Sequence, residues 1–83
     1  MKIHELKCWN PYFTDVIIGA KTFEVRKNDR DYKKGDILRL REYNPENNEY
    51  SGDFRDFKIR YILYGGGNFG IRRNYVVMSI EEL

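Results

Sequence analysis

The 83 residues, 41% hydrophobic, 16% aromatic and 34% charged, supply one domain and no more. Fifteen basic against thirteen acidic side chains leave a formal charge of +2, short of the strongly basic balance that by itself marks a nucleic-acid-binding domain. One cysteine and one histidine exclude a disulfide scaffold and a four-ligand structural zinc site, and no apolar run approaches the ~20 residues that span a bilayer. The opening Met1-Lys2-Ile3-His4-Glu5-Leu6-Lys7 lacks the apolar stretch of a signal peptide. A cytoplasmic location follows as the expectation, and with neither repeat nor linker the domain is expected to run over residues 1–83.

Residues 3–9 alternate, with His4, Leu6 and Cys8 on one face and Ile3, Glu5, Lys7 and Trp9 on the other, the pattern of a strand. Asn10-Pro11 reads as an N-cap followed by proline at the first helical position. Phe13, Val16 and Ile17 then form one apolar stripe of a helix over about residues 11–18, ended by Gly19. Two turns are unstable alone, so this helix must pack on a sheet. Period two returns at Thr22–Arg26, where Phe23 and Val25 face one way and Thr22, Glu24 and Arg26 the other. The pattern points Phe23 and Val25 inward, with Leu38 and Leu40, beneath the helix.

A polar loop from Lys27 to Lys34 leads to the turn signal Gly35-Asp36. Ile37-Leu38-Arg39-Leu40-Arg41 is the next strand, with both leucines inward. The turn-rich Asn44-Pro45-Glu46-Asn47-Asn48, flanked by Tyr43 and Tyr50, reads as a hairpin or long loop leading to Phe54–Leu63. There Phe57, Ile59, Tyr61 and Leu63 alternate against Lys58 and Arg60. Gly65-Gly66-Gly67 breaks the chain before Tyr75–Ile80, the most β-biased run, which turns Val76, Met78 and Ile80 inward. The expected fold is α+β and mostly β: five or six strands with one or two short helices, curled into a small barrel.

The segment richest in chemistry is Gly19-Ala20-Lys21-Thr22-Phe23-Glu24-Val25-Arg26. Same-face residues on a strand stand about 6.6 Å apart, and Lys21 sits at the helix-to-strand junction, within reach of that face. An ammonium, a hydroxyl, a carboxylate and a guanidinium then line one groove suited to a nucleobase or phosphate. The same pattern is also that of a solvated salt-bridge ladder. The Gly19, Lys21, Glu24, Arg26 spacing after a short helix, the Lys34-Gly35-Asp36-Ile37-Leu38 strand entry and the closing Tyr75-Val76-Val77-Met78 together resemble the ASCH domain of the PUA-like superfamily. The likeness extends over essentially the whole chain. Within that family it resembles a short bacterial and phage subgroup of unknown function, through His4-Glu5-Leu6-Lys7 and Arg26-Lys27-Asn28-Asp29-Arg30.

The resemblance implies a PUA-like β-barrel with a cleft beside the helix that binds RNA or a nucleotide-like ligand, lined by Gly19, Lys21, Glu24 and Arg26; the strand alternation adds Thr22 to that face as a neutral hydrogen-bonding group. No cofactor and no metal are expected. One branch of the family hydrolyses N4-acetylcytidine with a lysine, a threonine nucleophile and a distant glutamate. The present chain has Lys21 with Thr22 beside it, and Glu24 where that branch places its threonine. A small amidohydrolase acting on a modified nucleoside, with Lys21, Thr22 and Glu24 as catalytic candidates, is therefore the alternative to a binding module. A non-catalytic protein-interaction module using exposed tyrosines is a third.

Weaker signals remain. Gly65–Gly70 is either a flexible connection or an anion nest. Arg39, Arg41, Lys58, Arg60, Arg72 and Arg73, interleaved with Tyr43, Tyr50 and Tyr64, form either a solvated face or a surface for single-stranded nucleic acid. His4 and Cys8 share a face but lie about 13 Å apart along a strand, so they read as core-edge residues. Glu81-Glu82 reads as a solubilising acidic end.

Overall fold

The alternation at the start of the chain becomes strand β1 (Ile3–Trp9), which buries His4, Leu6 and Cys8; a computed structural model describes residues 1–83. Helix α1 (Tyr12–Ile17) buries Phe13 and Val16, with Ile17 packed partly buried beside them. Its start differs from the expected one by a residue. Pro11 occupies the cap position, and no side chain, that of Asn10 included, caps the helix. A residue with φ near −65° and no amide to satisfy suits either position. Gly19 ends the helix at φ +80, a conformation that costs a residue without Cβ little.

Strands β2 (Phe23–Lys27), β3 (Ile37–Asn44), β4 (Glu49–Tyr64) and β5 (Tyr75–Glu82) complete one five-stranded sheet in the order β1-β3-β4-β5-β2. β1 runs parallel to β3, with Ile3 opposite Ile37 and Leu6 opposite Leu40, and every other pair is antiparallel. The sheet curls into a half-barrel. β1 and β2 form its two edges and do not pair with each other, so a seam runs between them.

Twelve buried residues fill the concave side: Leu6 and Cys8 from β1, Phe13 and Val16 from α1, Leu38 and Leu40 from β3, Phe57 and Ile59 from β4, Val76, Met78 and Ile80 from β5, and Tyr32 from the loop before β3. The helix packs chiefly on β1 and β3, and the expected partners Phe23 and Val25 of β2 are largely exposed. Tyr32 had no signal in the alternation, because a loop has no period. Its ring lies 4.8 Å from that of His4. His4 Nε2 in turn donates to the buried Asp36 carboxylate at 2.9 Å, which also accepts from the backbone amides of Lys2 and Lys33.

Two strands depart from their sequence reading. In β2 the apolar residues Phe23 and Val25 are 44% and 52% exposed, and Glu24 is buried. Pairing with β5 places Glu24 beside Met78 and Arg26 beside Val76 on the concave face, and Val25 beside Val77 on the convex one. A one-residue slip would reverse this; the register that holds turns the polar face inward, because β2's concave face borders the seam and not the apolar centre. In β4 the register against β5 shifts between Ile59 and Tyr61. That bulge at Arg60 flips the alternation, as an extra residue must. Ile62 consequently packs on the core, while Tyr61 is exposed.

Candidate functional site

The seam is where the chemistry gathers. A cleft of about 470 Å³ is lined by Lys7, Cys8 and Trp9 of β1, Tyr12 of α1, Lys21, and Glu24, Val25 and Arg26 of β2. Gly19 turns the chain out of α1, and the Lys21 amide donates to Asp15 O at 3.0 Å, fixing the junction. β2 then carries Glu24 and Arg26 on its inward face. Lys21 Nζ donates to Glu24 Oε1 at 2.6 Å, and Arg26 Nε donates to Glu24 Oε2 at 2.9 Å. The Glu24 side chain is 4% exposed, those of Lys21 and Arg26 21% and 25%.

A carboxylate so far from water requires such partners, and the two cations leave the trio with one net positive charge. Lys21 also donates to Phe23 O at 2.8 Å, and Arg26 reaches across the seam to Lys7 O at 2.7 Å. An ammonium has three donors and a guanidinium five. One N–H of Lys21 and three of Arg26 therefore remain for a ligand, together with spare lone pairs on Glu24.

Lys21, Glu24 and Arg26 thus converge. Thr22 does not join them: it is exposed, absent from the cleft lining, and its carbonyl accepts from the Ile80 amide. Gly19 shapes the turn without lining the cleft. Cys8 lies beneath the trio, 2% exposed. Burial, reinforced by the charge of Glu24, pushes its thiol up to about 11. It is protonated at neutral pH and inert as a nucleophile. His4, committed to Asp36, offers it no base.

The sequence reading missed the aromatic walls. Trp9 and Tyr12 are 51% and 52% exposed and face the cleft. A signal existed: Trp9 sits on the outer face of β1, and Tyr12 lies off the stripe formed by Phe13, Val16 and Ile17, so neither was needed by the core.

The weaker candidates resolve differently. Of the outer basic face, Arg39 is neutralised across strands by a two-pronged pair with Asp56, while Arg60 stands 3.5 Å from Glu81 in an exposed pair worth little. In the glycine-rich loop the amides of Gly65 and Gly66 donate to Tyr75 O and Ile71 O and do not point to an anion. No three His, Cys, Asp or Glu side chains cluster to hold a metal ion, and no helix is long and apolar enough to cross a membrane.

Comparison with known proteins adds two findings. The family described as "Domain of unknown function (DUF3850)" matches residues 3–80. The chain is also similar to the "Uncharacterized 12.9 kDa protein in GpA 3'region" of Escherichia phage P2, 50% identical over 42 residues, which are 51% of this chain and 38% of the phage protein.

Proposed function

The chain belongs to the DUF3850 family, and from the geometry of its seam we propose that it binds RNA or a nucleotide-like ligand, with a base held between Trp9 and Tyr12 and read by Lys21, Glu24 and Arg26. The observation that carries this reading is the meeting of two half-exposed aromatic rings with a buried carboxylate flanked by two cations in one open cleft. Aromatic faces stack on any base, at about 1–3 kcal/mol each. Glu24 accepts from an exocyclic amine or a ribose hydroxyl; the free N–H groups of Lys21 and Arg26 donate to a base carbonyl or a phosphate oxygen. The resemblance to the ASCH domain supports the same ligand class. An amidohydrolase reading that relies on Thr22 as nucleophile draws no support from a hydroxyl outside the cleft lining.

Trp9 is the chain's single tryptophan, so its fluorescence reports the cleft directly. Titration with the ribonucleosides and with short random RNAs is expected to quench it. Glu24→Gln is expected to abolish discrimination among bases while phosphate attraction persists or strengthens, because one negative charge between two cations is gone. Lys21→Ala and Arg26→Ala are expected to weaken every ligand. Unchanged emission with all of these ligands, or quenching indifferent to the three substitutions, would refute the reading.

A further inference from the structure

We propose that the cleft continues along the open edge of β1 into a phosphate-binding groove built from Lys7, Arg30 and Arg41, so that the ligand is a strand of single-stranded nucleic acid and not a free nucleoside. This rests on the base-binding reading of the cleft and adds its polymeric class.

A second concavity of about 340 Å³, lined by Glu5, Leu6, Lys7, Arg26, Arg30, Arg41 and Tyr50, adjoins the first and shares Lys7 and Arg26 with it. Four cations here face one carboxylate, Glu5, which is 58% exposed and stands 3.9 Å from Arg41. At that distance and exposure the ion pair is worth little, so Arg41 is not neutralised as Arg39 is by Asp56.

The edge strand explains the arrangement. The Ile37 amide donates to Lys2 O, so the even-numbered backbone groups of β1 face β3 and the odd-numbered ones face the seam. Arg26 and Arg30 donate to two of those seam-facing carbonyls, Lys7 O at 2.7 Å and Glu5 O at 3.3 Å. Each guanidinium is thereby held along the edge with donors to spare. Arg41 is ordered differently: its guanidinium lies 4.0 Å from the centre of the Tyr50 ring. Stacking leaves the N–H rim free for two phosphate oxygens. Lys7 Nζ stands over the Tyr43 ring at 4.5 Å. A row of cations held by carbonyls and rings, beginning where the aromatic cleft ends, fits a backbone that leaves a stacked base and runs on along β1.

The test compares ribonucleosides with random single-stranded RNAs about six nucleotides long, on the wild type, the Arg30→Gln/Arg41→Gln double variant, Arg39→Gln and Lys21→Ala. The double variant is expected to bind the RNAs about 10-fold more weakly, with a log–log salt slope shallower by about 0.7 for each lost contact, and to bind nucleosides as the wild type does. Arg39→Gln should match the wild type on both. If the double variant keeps wild-type RNA affinity and slope while Lys21→Ala loses both ligands, the groove is overturned and the base cleft stands. Equal losses from Arg39→Gln would mean diffuse attraction and likewise overturn the groove. If the wild type binds neither ligand, groove and cleft fall together.

Discussion

Asp36 shows how a single side chain governs an opening strand. Burial alone would raise its pKa, but the hydrogen bond from His4 and those from the Lys2 and Lys33 amides outweigh burial and hold the carboxyl below its usual 3.8. A carboxyl depressed by folding contributes stability above its unfolded pKa and loses it as pH falls through the folded value. Asp36→Asn removes that charge and leaves three donors facing a group with one acceptor. The gap in urea-unfolding stability between wild type and Asp36→Asn is therefore expected to narrow as pH falls below about 4. A gap that stays the same down to pH 2 would mean that the charge of Asp36 contributes nothing. Glu24 is the other buried carboxylate, and the contrast is instructive. Asp36 is satisfied by backbone amides and one ring nitrogen; Glu24 is satisfied by two long cations with donors left over. One arrangement fastens the fold, the other keeps hydrogen-bonding capacity at an open cleft.

At the scale of elements, β5 and β2 carry similar alternations and opposite outcomes. Val76 and Met78 have no exposed surface, whereas Val25, on the strand paired with them, is 52% exposed. Val76→Ala is expected to cost about 2 kcal/mol through lost burial and an incompletely collapsed void. Val25→Ala should stay within about 0.5 kcal/mol, as surface changes do. Denaturant midpoints at unchanged m-value measure both. Equal losses would place Val25 in the core and reverse the register of β2. The connection between β4 and β5 is held more tightly than its glycines suggest: a Cβ on Gly65 would lie 2.0 Å from Arg72 O. The backbone crosses there too closely for any side chain, which makes Gly65 a packing residue and not a flexible one.

The whole molecule is a half-barrel whose two edges are tied by side chains. β3, β4 and β5 form an antiparallel meander of strands adjacent in sequence; β1 and β2 join it from outside through partners distant in sequence. Edge elements with open backbone groups exchange first in native proteins. Amide hydrogen exchange is expected to be slowest at Leu38, Leu40, Ile59 and Met78. Within β1 the even-numbered amides that face β3 should outlast those of Lys7 and Trp9, which face the seam. Uniform protection along β1 would mean that a further strand closes the barrel in solution.

The sequence alone determined where the five strands lie, apart from the opening residues of β4 from Glu49 to Asp53, which read as hairpin or loop; it also determined where the single helix ends, and that Lys21, Glu24 and Arg26 stand close together. Those features are local: period-two alternation, a glycine that reaches positive φ, and residues spaced two and three apart. It also determined the inward faces of β1, β3 and β5, because strands at the centre of a sheet, or covered by a helix, turn their apolar side to the core. Only the tertiary structure decided that β2 turns its polar side inward, since that depends on its lying at an edge, beside a seam no periodicity describes. The bulge at Arg60, the burial of Tyr32, and the joining of Trp9 and Tyr12 to the charged trio were decided the same way. Each depends on the register and curvature of strands far apart in the chain, and a local pattern carries no information about which distant edge it will face.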